Sequence, residues 1–511
     1  MYCKHYLPLL LLFLGTIFHS KSQKLTENNI KKAYAEVEGK IKEDHLRPAF
    51  HLTPPSGCMG DPNGGIYHNG RYHIFYGHNP FSGSYGGWFW GHASSKDLLN
   101  WRHEPPMLTP AFDLGISSVG SGSTIVNDQG KPLAFHSVGK DGSMKFWQAQ
   151  FTDEDLTSWE HKGKNPVLTL DYPGLPPFDS FWRDPFVFKT EGRTFMIACA
   201  DLLEEDYVPV PIFEAENKKL TEWDYKDLLF TYPKHKLRNL EVPEFRPIGD
   251  KWILLSSSDA PKDRVYYFIG HFDTKTFKFI PESEGVLDHS NHYYAQETIL
   301  DDKGNLNIMA WIPGWDRPFL PNFRTGDEKL ADRPWNGCFA IPRIITLNSE
   351  GKLIRQPVPQ MKQLRGEETI VPPFELPVDG PTTAVKVLES VRGNQMEIKA
   401  ELDLHTSSFC GMNVLCDSSG TGGMYIIWSG DILNIDGVEV EMDNWNPGET
   451  LELQVFVDKQ IVEVFINGGE ASVSRLVKEE YISGNHVAIT SLGGRAILKG
   501  LTKWKLNPIS Q

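Results

Sequence analysis

A strand–turn–strand unit recurs five times in the chain at nearly constant spacing, and this repeat constrains the fold more than any other feature. Each copy has a polar or acidic start, an apolar strand, a tight turn rich in Gly, Asn and Asp, and a second strand. The copies begin at Asp61, Gly120, Arg183, Glu241 and Tyr294. Near-equal β units of this length are typical of propeller blades. The sequence therefore predicts an all-β fold with a five-bladed β-propeller; a sandwich of unrelated hairpins is the alternative.

Three of the five copies open on carboxylates, in the segments Asp61-Pro62-Asn63-Gly64, Arg183-Asp184-Pro185 and Glu241-Val242-Pro243. Taken alone each segment is a weak signal, since Asp-Pro-Asn-Gly is an ordinary turn sequence. In a propeller, however, the innermost strands line one central channel, and corresponding positions meet at its mouth. We therefore expect the three acids to converge there. Paired carboxylates across a scissile bond are what glycoside hydrolysis requires.

The remainder of the chain divides by composition into four further parts. Residues 1–22 are predicted to be a signal peptide, because their apolar stretch is too short to span a bilayer. An N-terminal arm (23–49) is charged and compatible with a helix. The propeller (50–370) is followed by a proline-rich linker (371–384) and an antiparallel β-sandwich (385–511).

Export through such a signal predicts a secreted, periplasmic or cell-surface protein with no membrane attachment after the signal is removed. The net charge of −15 argues against a nucleic-acid partner, which requires a basic surface. Five cysteines remain beyond the signal, too scattered for a disulfide framework. Pairing of Cys410 with Cys416 stays open.

Several further motifs make the chain recognisable. They are Cys58-Met59-Gly60-Asp61-Pro62-Asn63-Gly64, Phe75-Tyr76-Gly77, Trp90-Gly91-His92-Ala93, Gly120-Ser121-Gly122-Ser123, Arg183-Asp184-Pro185, Glu241-Val242-Pro243 and Trp335-Asn336-Gly337-Cys338. In order and content these segments resemble glycoside hydrolase family 32, which contains the invertases, inulinases and levanases. The resemblance runs from about residue 51 to residue 504. It implies a propeller followed by a sandwich, a carbohydrate substrate, and no metal or organic cofactor.

The same resemblance implies roles for individual residues. Asp61 is expected to be the nucleophile, Glu241 the general acid/base and Asp184 the stabiliser of the transition state. Arg183 and Ser121 are expected to contact the sugar. The other predicted substrate-binding residues are Asn63, Tyr85, Trp90 and Trp335. Four further tryptophans are candidate cleft walls, with core packing the alternative for each: Trp88, Trp182, Trp311 and Trp315.

Four positions depart from the family pattern. Gly60, Gly77 and Gly120 stand where the family has Asn, Gln and Phe, and Tyr85 stands in place of a Trp. Lost side-chain donors remove hydrogen bonds that discriminate among sugars. We therefore expect retained glycosidic chemistry with an altered substrate preference.

The predicted function is retaining hydrolysis of β-fructofuranosidic bonds in levan, inulin or sucrose-like fructosides. Two alternatives stay open: a propeller glycosidase acting on another furanoside, and a fructan-binding protein without catalysis. The sequence specifies neither the linkage nor the oligomeric state.

Overall fold

The computed structural model describes residues 27–108, 118–140, 143–161, 163–179, 181–314, 332–376, 383–442 and 449–511. The predicted signal peptide, Trp315 and part of the predicted linker lie outside these residues. Within them, one α-helix precedes a series of antiparallel sheets. No helix among the described residues is long and apolar enough to cross a membrane.

The elements in chain order are α1 Glu27–Glu43, β1 Gly57–His68, β2 Arg71–Asn79, β3 Phe89–Ser95, β4 Trp101–Glu104, β5 Ser118–Val126, β6 Pro132–Lys140, β7 Ser143–Phe151, β8 Trp159–Glu160, β9 Arg183–Thr190, β10 Arg193–Cys199, β11 Tyr207–Ala215, β12 Trp223–Pro233, β13 Glu241–Ile248, β14 Lys251–Ser258, β15 Arg264–Asp273, β16 Lys278–Val286, β17 Tyr294–Leu300, β18 Leu306–Ile312, β19 Trp335–Asn336, β20 Cys338–Phe339, β21 Arg343–Leu347, β22 Leu353–Pro357, β23 Arg365–Val371, β24 Phe374–Leu376, β25 Thr383–Arg392, β26 Gln395–Asp403, β27 Phe409–Cys416, β28 Met424–Trp428, β29 Ile432–Ile435, β30 Val438–Glu441, β31 Thr450–Asp458, β32 Ile461–Ile466, β33 Ala471–Leu476, β34 His486–Leu492 and β35 Ala496–Leu506. Short 3₁₀ helices lie at Pro359–Leu364, Asn467–Gly469 and Glu479–Ser483.

The five-bladed propeller is confirmed. Its blades are β1–β4, β5–β8, β9–β12, β13–β16 and β17–β18–β21–β22, each with its first strand innermost. Tight turns set the register of the hairpins. Asn69-Gly70 joins β1 to β2 with φ of 48° and 74°, the two positive values that a type I′ turn requires. The ring closes where β19 pairs in parallel with β1, joining the first blade to the chain that follows β18.

The β-sandwich is also confirmed, but its boundary differs from the predicted one. One sheet has the order β23–β35–β26–β31–β32–β33, and the other β25–β34–β27–β28–β29–β30. Residues 365–370, assigned to the propeller from sequence, and residues 371 and 374–376, assigned to the linker, all belong to strands that pair with β35. The Pro372-Pro373 pair therefore does not start a linker. It separates two short strands, because proline cannot donate a ladder hydrogen bond.

The cysteines of the described residues are all free thiols. Cys410 and Cys416 lie toward opposite ends of the same strand, β27. Six residues of extended chain separate their Cα atoms by roughly 20 Å, far beyond disulfide reach. The pairing that the sequence left open is therefore absent.

The predicted helical arm is present as α1 and the residues after it, and it joins the two domains. The backbone amides of Ala49 and Phe50 donate to Asp458 of the sandwich at 2.7 Å. His51 lies between Asp458 and Glu463, at 2.8 and 3.0 Å. Burial disfavours the charged imidazole, yet these two carboxylates outweigh it and raise the pKa of His51 to about 9.

Arg343 of the propeller completes this buried interdomain cluster. Its guanidinium donates to Asp288 at 3.0 Å and to Glu463 at 2.5 Å, and Ser472 and Ser474 of the sandwich bond the same group. All five side chains are almost completely buried. Removal of one charge from such a cluster leaves its partners uncompensated, so the contact fixes the sandwich against the propeller.

Candidate active site

Every innermost strand of the propeller contains a β-bulge at the same register, and three of the predicted site residues, Asp61, Ser121 and Asp184, lie in these bulges. At each bulge two residues of the first strand face one residue of the second. The bulged pairs are Gly60-Asp61, Gly120-Ser121, Asp184-Pro185, Val242-Pro243 and Ala295-Gln296. Bulges redirect side chains and are common beside active sites. The shared register therefore marks one mouth of the channel as the functional end.

Backbone strain is concentrated at the same positions. Asp184, Val242 and Ala295, each the first residue of its bulge, have φ of 58°, 46° and 48°. The left-handed region is unfavourable for residues other than glycine, and most of all for a β-branched valine. The amide of Val242 donates to Asp184 Oδ2 at 3.1 Å, so the strained bulge of one blade presents a donor to the carboxylate of the next.

The three predicted acids occupy three different positions of this shared bulge. Glu241 immediately precedes it, Asp184 is its first residue and Asp61 is its second. The residues of blades one and two that correspond to Glu241 are Met59 and Val119. The prediction that the acids stand at equivalent positions is therefore wrong by one or two residues, because the bulge register is not visible in the spacing of the repeats.

A chain of hydrogen bonds links the bulges of the first three blades. Ser121 Oγ donates to Asp61 Oδ2 at 3.4 Å. The Ser121 carbonyl accepts a hydrogen bond from Ser137 Oγ at 3.2 Å, and Ser137 Oγ accepts from the amide of Asp184 at 2.8 Å. Asp61, Ser121 and Asp184 are thus brought together as predicted.

Arg183 connects the other two acids. Its guanidinium lies 3.4 Å from Asp184 Oδ2 and donates a very short hydrogen bond to Glu241 Oε1. Burial opposes the positive charge, but attraction to Glu241 and Asp184 prevails and raises the pKa of Arg183 above its usual value. Burial raises the pKa of Asp184 to about 6; Arg183 opposes this rise and Glu241 adds to it.

Two residues that were not predicted as site residues hold the Glu241 carboxylate. Asn239 Nδ2 donates to Oε1 at 2.9 Å, and the Tyr294 hydroxyl donates to Oε2 at 2.8 Å. Tyr294 corresponds to Glu241 in the bulge of the next blade, so its place at the start of the fifth repeat was an available signal. For Asn239 the sequence offers none.

A small open pocket adjoins Asp61, with about 230 Å³ of empty space. Its lining comprises Asp61, Asn63, Gly77, Trp88, Val119, Gly120 and Ser121. Asn63 Nδ2 donates to the Asp61 carbonyl at 3.0 Å, which fixes the amide orientation. Asn63 Oδ1 is buried and has no hydrogen-bond partner among the described residues.

Some of the aromatic residues predicted to contact the substrate lie at the pocket, and others are buried behind it. Tyr85 is half-buried and packs edge-on against Trp88, with ring centroids 4.7 Å apart. Trp90 is fully buried, and its indole N–H donates to the Gly120 carbonyl at 3.0 Å. Trp335 is buried too, and donates to Asp44 of the N-terminal arm at 2.7 Å. The expectation that Trp90 and Trp335 contact substrate is therefore corrected: both support the rim from behind. Trp182 and Trp311, two of the candidate cleft walls, are likewise buried.

Comparison with known proteins agrees with this geometry. Residues 51–357 match the glycosyl hydrolases family 32 N-terminal domain, and residues 360–505 match the family 32 C-terminal domain. Sucrose-6-phosphate hydrolase of Bacillus subtilis is 28% identical over 91% of this chain and 96% of its own length. Raffinose invertase of Escherichia coli is 29% identical over 90% and 95%.

Among solved structures, fructan 1-exohydrolase IIa of Cichorium intybus in complex with 1-kestose has the same fold. The TM-score is 0.77 at 18% identity, with 91% of this chain and 98% of that chain covered. With both family domains matched across almost the whole described body, the chain belongs to glycosyl hydrolase family 32 and is a glycosidase.

Proposed function

We propose that the protein hydrolyses β-fructofuranosidic bonds of fructans or sucrose-like fructosides through a covalent fructosyl–enzyme intermediate. The observation that carries the proposal is the connected constellation at the channel mouth, in which Ser121 contacts Asp61 and Arg183 bridges Asp184 to Glu241. Family membership supports it, as do relatives named for sucrose 6-phosphate and raffinose.

In the first step an Asp61 carboxylate oxygen attacks the anomeric carbon. The glycosidic C–O bond breaks as Glu241 transfers its proton to the departing oxygen. In the second step a water gives its proton to Glu241, its oxygen bonds to the anomeric carbon, and the bond to Asp61 breaks. Ser121 stabilises the ionised form of Asp61 that the attack requires, because its hydroxyl donates to Oδ2.

Glu241 must exist in both protonation states during one cycle. The Tyr294 hydroxyl suits this need, since a phenol donates to a carboxylate and can rotate to accept from a carboxylic acid. Asn239 and Arg183 hold the other oxygen, so the carboxyl plane keeps its direction throughout.

Asp184 is suited to bind sugar hydroxyls. Its Oδ2 is used by Arg183 and by the Val242 amide, while its Oδ1 has no hydrogen-bond partner among the described residues. A carboxylate oxygen held rigidly beside the anomeric centre accepts from a hydroxyl and stabilises developing positive charge on the ring.

A product analysis tests the proposal. The protein is incubated with sucrose, 1-kestose, levan and inulin, and with an arabinofuranoside as the other furanoside. We expect release of fructose, and trapping with methanol to give methyl β-fructofuranoside with the configuration retained. Fructose release from none of the substrates would refute the proposal. Cleavage of the arabinofuranoside alone would favour another furanosidase, and binding without turnover would favour a fructan-binding protein.

Matched variants test the roles. Asp61→Asn is expected to lower kcat/KM by roughly 10⁴-fold or more, as removal of a nucleophile does. Glu241→Gln is expected to lower it by about 10²–10⁴-fold. Asp128→Asn and Glu282→Gln alter exposed ion pairs with lysines and serve as controls. Near-wild-type activity in Asp61→Asn or Glu241→Gln would contradict the assignment.

We further propose that the protein is exported and meets its substrate in the periplasm, at the cell surface or in the medium. The support is the sequence of residues 1–22 alone. Mass spectrometry of the N-terminus of the protein purified from its native host tests this, and an uncleaved N-terminus would refute it.

A further inference from the structure

We propose that Trp88 determines which glycosyl units the pocket beside Asp61 accepts. Its indole forms one apolar wall of the pocket, and this wall favours a sugar that has no hydroxyl on the side facing it. The substrate class is thus a β-fructofuranoside, or a close analogue, in which the hydroxyl on that side is replaced by hydrogen. The inference rests on the proposed function and concerns the specificity of the same site.

Trp88 is held rigidly in its place beside the nucleophile. Its carbonyl accepts from the amide of Val119 at 3.3 Å, which ties it to the inner strand of the second blade. Tyr85 packs edge-on against its ring, at an interplanar angle of 85°, and is itself stacked on buried Trp311 with centroids 5.8 Å apart. The indole is therefore a fixed wall of the pocket.

The space that the indole occupies exists because two glycines face it across the bulge of Asp61. A Cβ atom built on Gly60 would lie 3.1 Å from Trp88 Cη2, and one built on Gly77 would lie 3.5 Å from Trp88 Cε3. The six-membered part of the indole thus lies directly against both backbones. A longer side chain at Gly60 could not be accommodated without displacing the ring, so the identities of these residues are coupled.

The pocket consequently has a polar side and an apolar side. Asp61, Asn63 and Ser121 supply its polar side chains, whereas Val119 and the six-membered ring of Trp88, which lies against Gly60 and Gly77, present only carbon atoms. A sugar hydroxyl pressed against the indole loses its hydrogen bonds to water without replacement. That loss lowers transition-state affinity by about 10- to 100-fold.

This arrangement predicts an asymmetry that a hydrogen-bonding wall would not give. A site that bonds a hydroxyl rejects the deoxy analogue by roughly 10⁴-fold or more, whereas an apolar wall discriminates against an added hydroxyl by only about 10²-fold. Replacement of one sugar hydroxyl by hydrogen, at the position facing Trp88, should therefore be tolerated or favoured.

The test measures kcat/KM of the full-length protein on an aryl β-fructofuranoside and its four monodeoxy analogues. With the wild type, one analogue is expected to match or exceed the parent, and the others to fall by at least 100-fold. Trp88→Gln should lower the ratio of kcat/KM for the tolerated analogue to kcat/KM for the parent by at least 10-fold. Trp88→Phe should preserve the preference. Trp159→Phe, on the outer strand of the second blade, is the matched control.

The outcomes separate the two proposals. If the parent is hydrolysed but every deoxy analogue falls 100-fold or more in the wild type, the Trp88 proposal fails and the proposed function stands. The Trp88 proposal also fails, and the proposed function again stands, if Trp88→Gln and Trp88→Phe change all five substrates by one factor. If neither parent nor analogues are hydrolysed, both proposals fail.

Discussion

Replacement of Asp184 by Asn should abolish most activity and yet make the protein more stable at neutral pH. Burial of the Asp184 carboxyl raises its pKa from 3.8 to about 6, against the attraction of Arg183 and with added repulsion from Glu241. Between about pH 4 and pH 6 the folded state therefore holds a proton on Asp184 that the unfolded state has released, and at neutral pH the folded state has to bury the charge. Asn has the same shape and can still accept from the Val242 amide, but it has no charge to bury.

The sign and size of the stability change follow from the linkage between proton binding and folding. Because the folded pKa is higher, the stabilising effect of protonated Asp184 is complete below pH 3.8 and is lost as pH rises through 6. A shift of about two units corresponds to about 3 kcal/mol, at roughly 1.4 kcal/mol per unit. Between about pH 4.5 and pH 7.5, the wild type should lose about 2 kcal/mol relative to the variant.

The assay is equilibrium urea unfolding of wild type and Asp184→Asn across that range, with Asp128→Asn as the exposed control. The difference in unfolding free energy between wild type and variant is the measured quantity, because titrations of groups that do not interact with Asp184 cancel in it. A difference that is constant with pH, or that moves in favour of the wild type as pH rises, would refute the reasoning.

Other changes test the positioning of the domains and of the site. Arg343→Met leaves Asp288 without its arginine and Glu463 with His51 alone, and should lower the unfolding free energy by about 3–5 kcal/mol in urea titrations; a change below about 1 kcal/mol would contradict this. His51→Gln should remove a stabilisation, about 3 kcal/mol, that the wild type has below pH 6.5 and loses as pH rises through 9; a loss equal at pH 6 and pH 10 would exclude the charged imidazole. Gly122→Ala brings a Cβ within 1.9 Å of a carbonyl on the next strand and should reduce soluble yield and the thermal midpoint; unchanged values would argue against the register of β5. Tyr294→Phe should lower kcat about 10-fold with little change in KM, and an effect confined to KM would place the hydroxyl in binding instead.

The blades and the three acids were predictable because short sequence segments specify both. A turn such as Asn69-Gly70 between two apolar runs specifies a hairpin without reference to the rest of the chain. Repetition of that local signal then implies the ring, and the ring implies that Asp61, Asp184 and Glu241 meet. Each inference needs only short-range patterns and one global symmetry.

What could not be predicted depends on register or on distant partners. The bulges shift the facing residue by one, so the strand alternation that predicts buried faces does not say that Asp61 is the second bulge residue. The same alternation puts Trp88 and Trp90 on one side and cannot tell which of them borders the pocket. Trp335 donates a hydrogen bond to Asp44, 291 positions away in the chain, and no local sequence pattern predicts that contact.

The strand that closes the propeller also fixes the position of Asp61. Gly57 and Cys58 of β1 pair with Trp335 and Asn336 of β19, only three residues before Asp61. Asn336 Nδ2 also donates to the Gly83 carbonyl at 2.7 Å, in the segment that leads to the aromatic wall of the pocket. The short strand β19 therefore holds both the strand that contains Asp61 and the segment that leads to Trp88. Because the positions of Asp61 and Trp88 both depend on β19, we expect a substitution in this strand to alter the proposed catalysis and the proposed sugar selection together.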